Sequence, residues 1–171
     1  MIDGDGKVMS LRNRKQILEP TVFFVTFTTL EHQPYLVNAT GLETTVEVLL
    51  ETALMRKIRI VAYVVMSTHI HFIAFFPEGG PQLSRFISTV KGVIRKRLRD
   101  KIRMWEERFD HKVIGKETML KQDINYIHQN PVKAGIVKNE TEYIYSSAAI
   151  WDGKRMDARC ASRIDEITKM T

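Results

Sequence analysis

The chain has 171 residues, a length typical of one domain, and its 44% apolar and 27% charged residues are the composition of a globular protein. Its one cysteine, Cys160, excludes an internal disulfide and argues against a cysteine-built zinc site. No apolar run reaches the roughly 18 residues of a membrane span and the start is unlike a secretory signal, so we expect a cytoplasmic protein. The net charge of +6 suits a polyanionic partner without identifying one.

The first half of the chain predicts three strands and one helix behind a polar, basic lead-in over residues 1–20. Residues 22–29 are β-branched and aromatic, which is typical of a strand. Apolar residues recur at helical spacing over 42–57, and two apolar runs follow over 58–66 and 69–76. Because only two polar residues separate these runs, we expect them to pair as an antiparallel hairpin.

Two more helices and a short strand are predicted in the second half, over residues 83–98, 117–130 and 109–114. Pro131 is expected to stop the last helix. The polar tail over 152–171 is expected to be loosely held. The order of elements predicts one α+β domain over 21–151, in which helices pack against an antiparallel sheet.

Two histidines lie two residues apart in the third predicted strand. Side chains alternate along a strand, so His69 and His71 leave the same face, with Cα atoms about 6.6 Å apart. Two imidazoles at this separation can converge on one metal ion. The alternative is a pair of polar surface residues on a half-exposed strand.

The last predicted helix has a polar stripe opposite its apolar side. Its apolar side holds Leu120, Ile124 and Ile127. Gln122, Tyr126 and Asn130 follow one another at four-residue spacing and therefore share another face. The tyrosine on this stripe is either a rim residue or a group with chemistry, and Asn130 before Pro131 also suits a helix stop.

A dense run of cations surrounds the end of the second predicted helix. Its seven members are Lys91, Arg95, Lys96, Arg97, Arg99, Lys101 and Arg103. Such a run attracts phosphate backbones, although one cationic helix face is more often simply solvated. Trp105 and Phe109 follow at once, and they are expected either to stack on unpaired bases or to belong to the core.

Two of these patterns together resemble a known family. His69-Ile70-His71 resembles the HUH motif, in which two histidines flank a hydrophobic residue on a strand. Residues 126–137, YIHQNPVKAGIV, resemble the tyrosine signature of the single-tyrosine transposases of bacterial insertion sequences, and above all of the REP-associated tyrosine transposases. Residues 105–110 and 145–147 resemble the segments that flank this signature, so the resemblance spans residues 20–151.

The resemblance implies a fold, a metal site and a reaction. The fold is a ferredoxin-like α+β sandwich of the HUH endonuclease type. His69 and His71 are expected to bind a divalent cation, Mg²⁺ or Mn²⁺, with Asn130 as the third protein ligand. Tyr126 is the expected nucleophile, which cleaves single-stranded or hairpin DNA and stays joined to the 5′ end as a phosphotyrosine. The cations expected to bind the DNA are Lys91, Arg95, Lys96, Arg99 and Arg103, with Trp105 stacking beside them.

Two rival functions share part of this pattern. A catalytically silent hairpin-binding protein derived from a transposase needs the basic surface alone, and a metal-dependent nuclease uses water as its nucleophile. The joint presence of Tyr126 and three metal-binding candidates favours the transposase. His111 is expected in the core, and His128 is expected either to support the reacting groups from behind or to lie on the surface. The sequence leaves open the DNA target and whether the chain is a monomer or a homodimer.

Overall fold

The computed structural model describes residues 14–99 and 103–164. These residues form four strands, which are β1 (Thr21–Thr28), β2 (Arg59–Val65), β3 (His69–Phe76) and β4 (Asp110–Val113). They also form four α-helices, which are α1 (Ala39–Met55), α2 (Gly79–Arg97), α3 (Glu117–Lys133) and α4 (Ala148–Trp151). Short 3₁₀ turns lie at Arg14–Gln16, Leu30–His32 and Glu140–Glu142. None of the helices in the described ranges is long and apolar enough to cross a membrane.

The four strands form one antiparallel sheet in the order β2-β3-β1-β4. The predicted hairpin between β2 and β3 is confirmed, and β1 lies on the other side of β3. The pairing of β1 with β3 sets Thr28 opposite His69 and Thr26 opposite His71. The predicted α+β class, with helices packed on an antiparallel sheet, is therefore confirmed.

The sheet has a hydrophobic core on each face because side chains alternate along its strands. From β3, Ile70 and Phe72 join α1 and α2 in one core, whereas Ile73 and Phe75 join α3 in the other. Full burial of such a side chain stabilises the fold by about 1.5–3 kcal/mol. By the same alternation, the two histidines of β3 lie on the α3 face.

Helix α3 was predicted to stop before Pro131, but it continues to Lys133. Proline removes one backbone donor and crowds the preceding turn, which disfavours but does not forbid the last turn of a helix. Here Gly135, at a φ of +70°, ends the helix with two bonds of a Schellman cap. The Gly135 N–H donates to the Val132 carbonyl and the Ile136 N–H to the Pro131 carbonyl, both at 2.9 Å.

The segment after α4 packs on the edge strand β2, and the prediction of a loosely held tail is wrong for residues 152–164. The Ala161 N–H donates to the Ile60 carbonyl at 2.8 Å, and Cys160 beside it is buried. Hydrogen bonding to an edge strand covers backbone groups that would otherwise face solvent. The remainder of the predicted tail, 165–171, and residues 1–13 of the lead-in lie outside the described residues.

The glycine that starts α2 gives a test of this packing. Gly79 has a φ of +64°, and a Cβ there would lie 2.2 Å from the Ile17 carbonyl oxygen. We expect Gly79→Ala to lower the free energy of unfolding by about 2–3 kcal/mol, from backbone strain and this clash. Gly92→Ala is the control within the same helix, because its Cβ meets nothing within 4 Å. It should raise stability by about 0.5–1 kcal/mol. Urea unfolding measures both, and equal effects would contradict the assigned backbone.

Candidate active site

Strand β3 brings two imidazoles together on the α3 face of the sheet. The ring centroids of His69 and His71 are 4.7 Å apart. Each Nδ1 has a threonine hydroxyl as its partner, with Thr26 Oγ1 at 2.7 Å from His71 and Thr68 Oγ1 at 2.9 Å from His69. When Nδ1–H donates to the hydroxyl oxygen, Nε2 carries the lone pair that can bind a cation.

Burial keeps both rings neutral at neutral pH. His71 is 8% exposed, and desolvation, together with the neighbouring His69, lowers its pKa to about 3. Desolvation also lowers the pKa of His69, although a hydrogen bond with the Asn130 side chain opposes this effect. A neutral imidazole is the form that binds metals, so the pair does not have to lose a proton first.

Helix α3 brings a tyrosine and an amide to the same place. Tyr126 is 43% exposed, and its ring centroid lies 5.5 Å from that of His71. Asn130 follows one turn later, its Nδ2 donates to the Tyr126 carbonyl at 2.8 Å, and its side chain also bonds to His69. The structure thus brings together all four residues that the sequence suggested for catalysis and metal binding.

The donor atoms of this cluster fit a divalent cation. No three His, Cys, Asp or Glu side chains in the described parts of the chain group into a metal site, so a third ligand here must be of another kind. Because Asn130 Nδ2 donates to a backbone carbonyl, its Oδ1 is the amide atom that would bind a cation, and a cation held there would replace the hydrogen bond between Asn130 and His69. Two imidazole nitrogens and one oxygen leave positions for water or a phosphate oxygen.

Comparison with known proteins shows which fold carries this cluster. No protein-family model and no curated protein sequence matches the chain. The solved structure of a REP-associated tyrosine transposase bound to a REP hairpin aligns over 84% of this chain and 86% of that chain, with a TM-score of 0.72 and 22% identity. The chain has the fold of that transposase.

A second solved structure is that of a Deinococcus radiodurans R1 protein described as a transposase. It matches over 64% of this chain and 90% of that chain, at 19% identity. Its TM-score of 0.45 is too low to compare the folds.

The predicted DNA-binding cations lie apart from this cluster, because α2 packs on the opposite face of the sheet. Lys91 Nζ donates to the Glu106 carbonyl at 2.6 Å, and burial lowers the pKa of Lys91 to about 8. Arg103 forms an exposed ion pair with Glu107. Arg95, Lys96 and Arg99 are exposed as well, and Arg99 follows the end of α2. Lys101 lies outside the described residues.

Trp105 does not present its ring for base stacking, and that prediction is wrong. It is 6% exposed, and its ring meets Phe27 edge to face at a centroid distance of 5.1 Å. Its backbone forms a β-bridge with Thr29, which draws the residue under the end of the sheet despite its charged neighbours. Phe109 is buried as well, so of the two alternatives, base stacking and core packing, the structure shows core packing.

His111 and His128 are packing residues. His111 is half-buried and sets its ring edge to face against Phe23, at 5.8 Å between centroids, so it packs against the core without being enclosed in it. His128 is buried, and its Nε2 shares a hydrogen bond of 2.9 Å with Ser147 Oγ. Sequence reasoning missed Thr26 and Thr68, whose roles follow from the register of β1 against β3 and from the turn before β3.

The buried histidines predict a pH dependence of stability. Desolvation lowers the pKa of His128 to about 4 in the folded chain, whereas an unfolded histidine takes up its proton near pH 6.5. The unfolded state therefore binds more protons in this window, and stability should fall as the pH drops from 6.5 towards 4. His128→Asn should flatten that fall by roughly 2–3 kcal/mol, measured by urea unfolding across the window. Parallel curves for the two proteins would contradict the buried neutral ring.

Proposed function

We propose that this chain is an HUH-type single-tyrosine transposase that cleaves and rejoins single-stranded DNA through a 5′-phosphotyrosine intermediate. The observation that carries the proposal is the convergence of β3 and α3. An exposed tyrosine lies beside two neutral imidazoles, that of His71 buried and that of His69 half-buried, with Tyr126 and His71 rings 5.5 Å apart. An amide on the same helix turn bonds to the second imidazole, that of His69. A protein that only binds DNA has no use for this combination.

In the proposed reaction, Tyr126 Oη attacks the phosphorus of a phosphodiester. The O–P bond to tyrosine forms, the bond to the 3′ oxygen breaks, the phenol loses its proton and the leaving oxygen gains one. One phosphodiester replaces another, so a second 3′-hydroxyl can reverse the step and join strands without ATP. The partial exposure of Tyr126 lets a DNA strand approach it from solvent.

The proposed metal ligands are His69, His71 and Asn130, with Mg²⁺ or Mn²⁺ as the cation. When bound, such a cation polarises the phosphoryl oxygen and offsets the charge that develops during attack. The threonine hydroxyls of Thr26 and Thr68 hold the two rings in the orientation that keeps Nε2 available.

The proposed substrate is a single strand at or near a palindromic hairpin. The transposase structure that shares this fold is bound to a REP hairpin. A duplex at the reaction point would bring a second phosphate backbone against the sheet. Arg95, Lys96 and Arg99 are exposed and are the cations of the predicted set that we propose to contact the flanking DNA.

Capture of a covalent adduct tests this function against both rivals. The full chain is mixed with a library of randomised single strands that carry a hairpin, with Mn²⁺ present, and denaturation-resistant complexes are isolated. We expect an adduct whose modified peptide contains Tyr126, and no adduct from Tyr126→Phe, which lacks only the attacking oxygen. Tyr145→Phe, beside β2, is the matched control and should react normally. Cleavage without an adduct would indicate the water-using nuclease, and binding without cleavage the silent hairpin binder.

The ligand assignment predicts loss of metal binding as well as of cleavage. His69→Ala and His71→Ala should each weaken Mn²⁺ binding by at least roughly 10–100-fold, the loss seen when mere supporting groups of a metal site are removed. Asn130→Ala should be milder, because water can replace a neutral amide oxygen. Calorimetric Mn²⁺ titration of the DNA-free protein measures this directly. Gln122→Ala, another amide on the same helix stripe, is the control, and full cleavage in EDTA would overturn the assignment.

A further inference from the structure

A lysine at the end of α3 reaches back over the proposed nucleophile. Lys133 follows Tyr126 by seven residues, which is two helical turns, so the two side chains share a face. Helical side chains point towards the N-terminus, and Lys133 Nζ lies 5.2 Å from the centroid of the Tyr126 ring. The side chain is exposed, so a bound strand can meet it.

The charge of Lys133 is not neutralised by a carboxylate in the described part of the chain. Two lysines near it, Lys112 and Lys121, differ in that respect. Lys121, on the same helix, forms an ion pair with Glu117 at 2.6 Å. A free cation attracts a phosphate more strongly than one that already has an anionic partner.

Lys112 is another lysine on this face that could contact a phosphate, but its charge is already paired with Asp123. Its Nζ lies 5.2 Å from the Phe24 ring centroid and 2.6 Å from Asp123 Oδ1. The other carboxylate oxygen, Asp123 Oδ2, is buried without a partner among the described residues. Separating this pair would leave a buried carboxylate unpaired, so Lys112 is held where it is.

We propose that Lys133 is a further catalytic residue of the proposed transesterification, on which this inference rests. Its ammonium contacts a non-bridging oxygen of the phosphate that Tyr126 attacks. When the phenol proton leaves, negative charge builds on that phosphate, and a fixed cation beside it lowers the barrier. The bonds formed and broken are those of the tyrosine attack, and Lys133 keeps its proton throughout.

Single-turnover adduct formation measures the contribution of this lysine, with the strand recovered from the hairpin library as the probe. Lys133→Met should react about 100-fold more slowly, the loss typical of removing one charge-stabilising donor. Lys133→Arg should recover most of the rate, because it restores the charge. Lys121→Met is the matched control and should react like the unchanged protein. Thermal melting of each variant checks that the fold is intact.

A substrate with a neutral methylphosphonate at the cleaved position separates direct contact from a structural effect. Because this group lacks one charged oxygen, the penalty of Lys133→Met should shrink on it, whereas a structural defect would slow both substrates equally. A normal rate for Lys133→Met, or an equal penalty on both substrates, would overturn the lysine assignment alone. If the unchanged protein forms no adduct at all, the proposed function fails, and this inference fails with it.

Discussion

The organisation of the site depends on two imidazoles, one buried and one half-buried, on one face of a sheet strand. His71 is 8% exposed, and beyond it on the same face of β3 lie the apolar Ile73 and Phe75. A buried polar group without a partner costs about 1–3 kcal/mol, so each ring needs a hydrogen bond that does not consume its second nitrogen. Thr26 supplies one from β1 and Thr68 supplies the other from the turn before β3. Desolvation and these partners together leave two neutral, oriented rings.

The helix opposite these rings has to bury one side and keep a polar stripe at the rim. Ile124 and Ile127 pack on the sheet, which places Tyr126 at the edge of the core with its ring partly in solvent. The stripe continues into the last helical turn because the Gly135 cap offsets the bond that Pro131 cannot make. Without that turn, Lys133 would lie in a loop. The end of the helix therefore decides which charge stands beside the tyrosine.

Local patterns were enough to predict the strands, the hairpin and the two pairs of side chains that each share a face, whereas the meeting of the two pairs was expected only from the family resemblance. Period-two alternation places His69 and His71 on one face, and four-residue spacing places Tyr126 with Asn130. The failures depend on contacts between residues distant in sequence. Trp105 has charged neighbours that suggest exposure, yet its pairing with Thr29 draws it into the core. Tertiary packing likewise determines the bond of Lys91 to the Glu106 carbonyl, the packing of the chain after α4 and the threonine partners of the histidines. A short stretch of sequence does not contain these contacts.

In the proposed reaction, the cations that we propose to bind DNA lie apart from the reacting groups. Those of α2 lie on the face of the sheet opposite Tyr126. At physiological salt the Debye length is about 8 Å, so exposed charges beyond the sheet are largely screened from the phosphate under attack. They can contribute to affinity and its salt dependence, but not to the charge balance of the transition state. Charge stabilisation of the transition state therefore has to come from groups on the α3 face. There Lys112 is paired with Asp123, whereas Lys133 lies over the Tyr126 ring. Substitutions on the two faces should therefore affect binding and reaction rate independently.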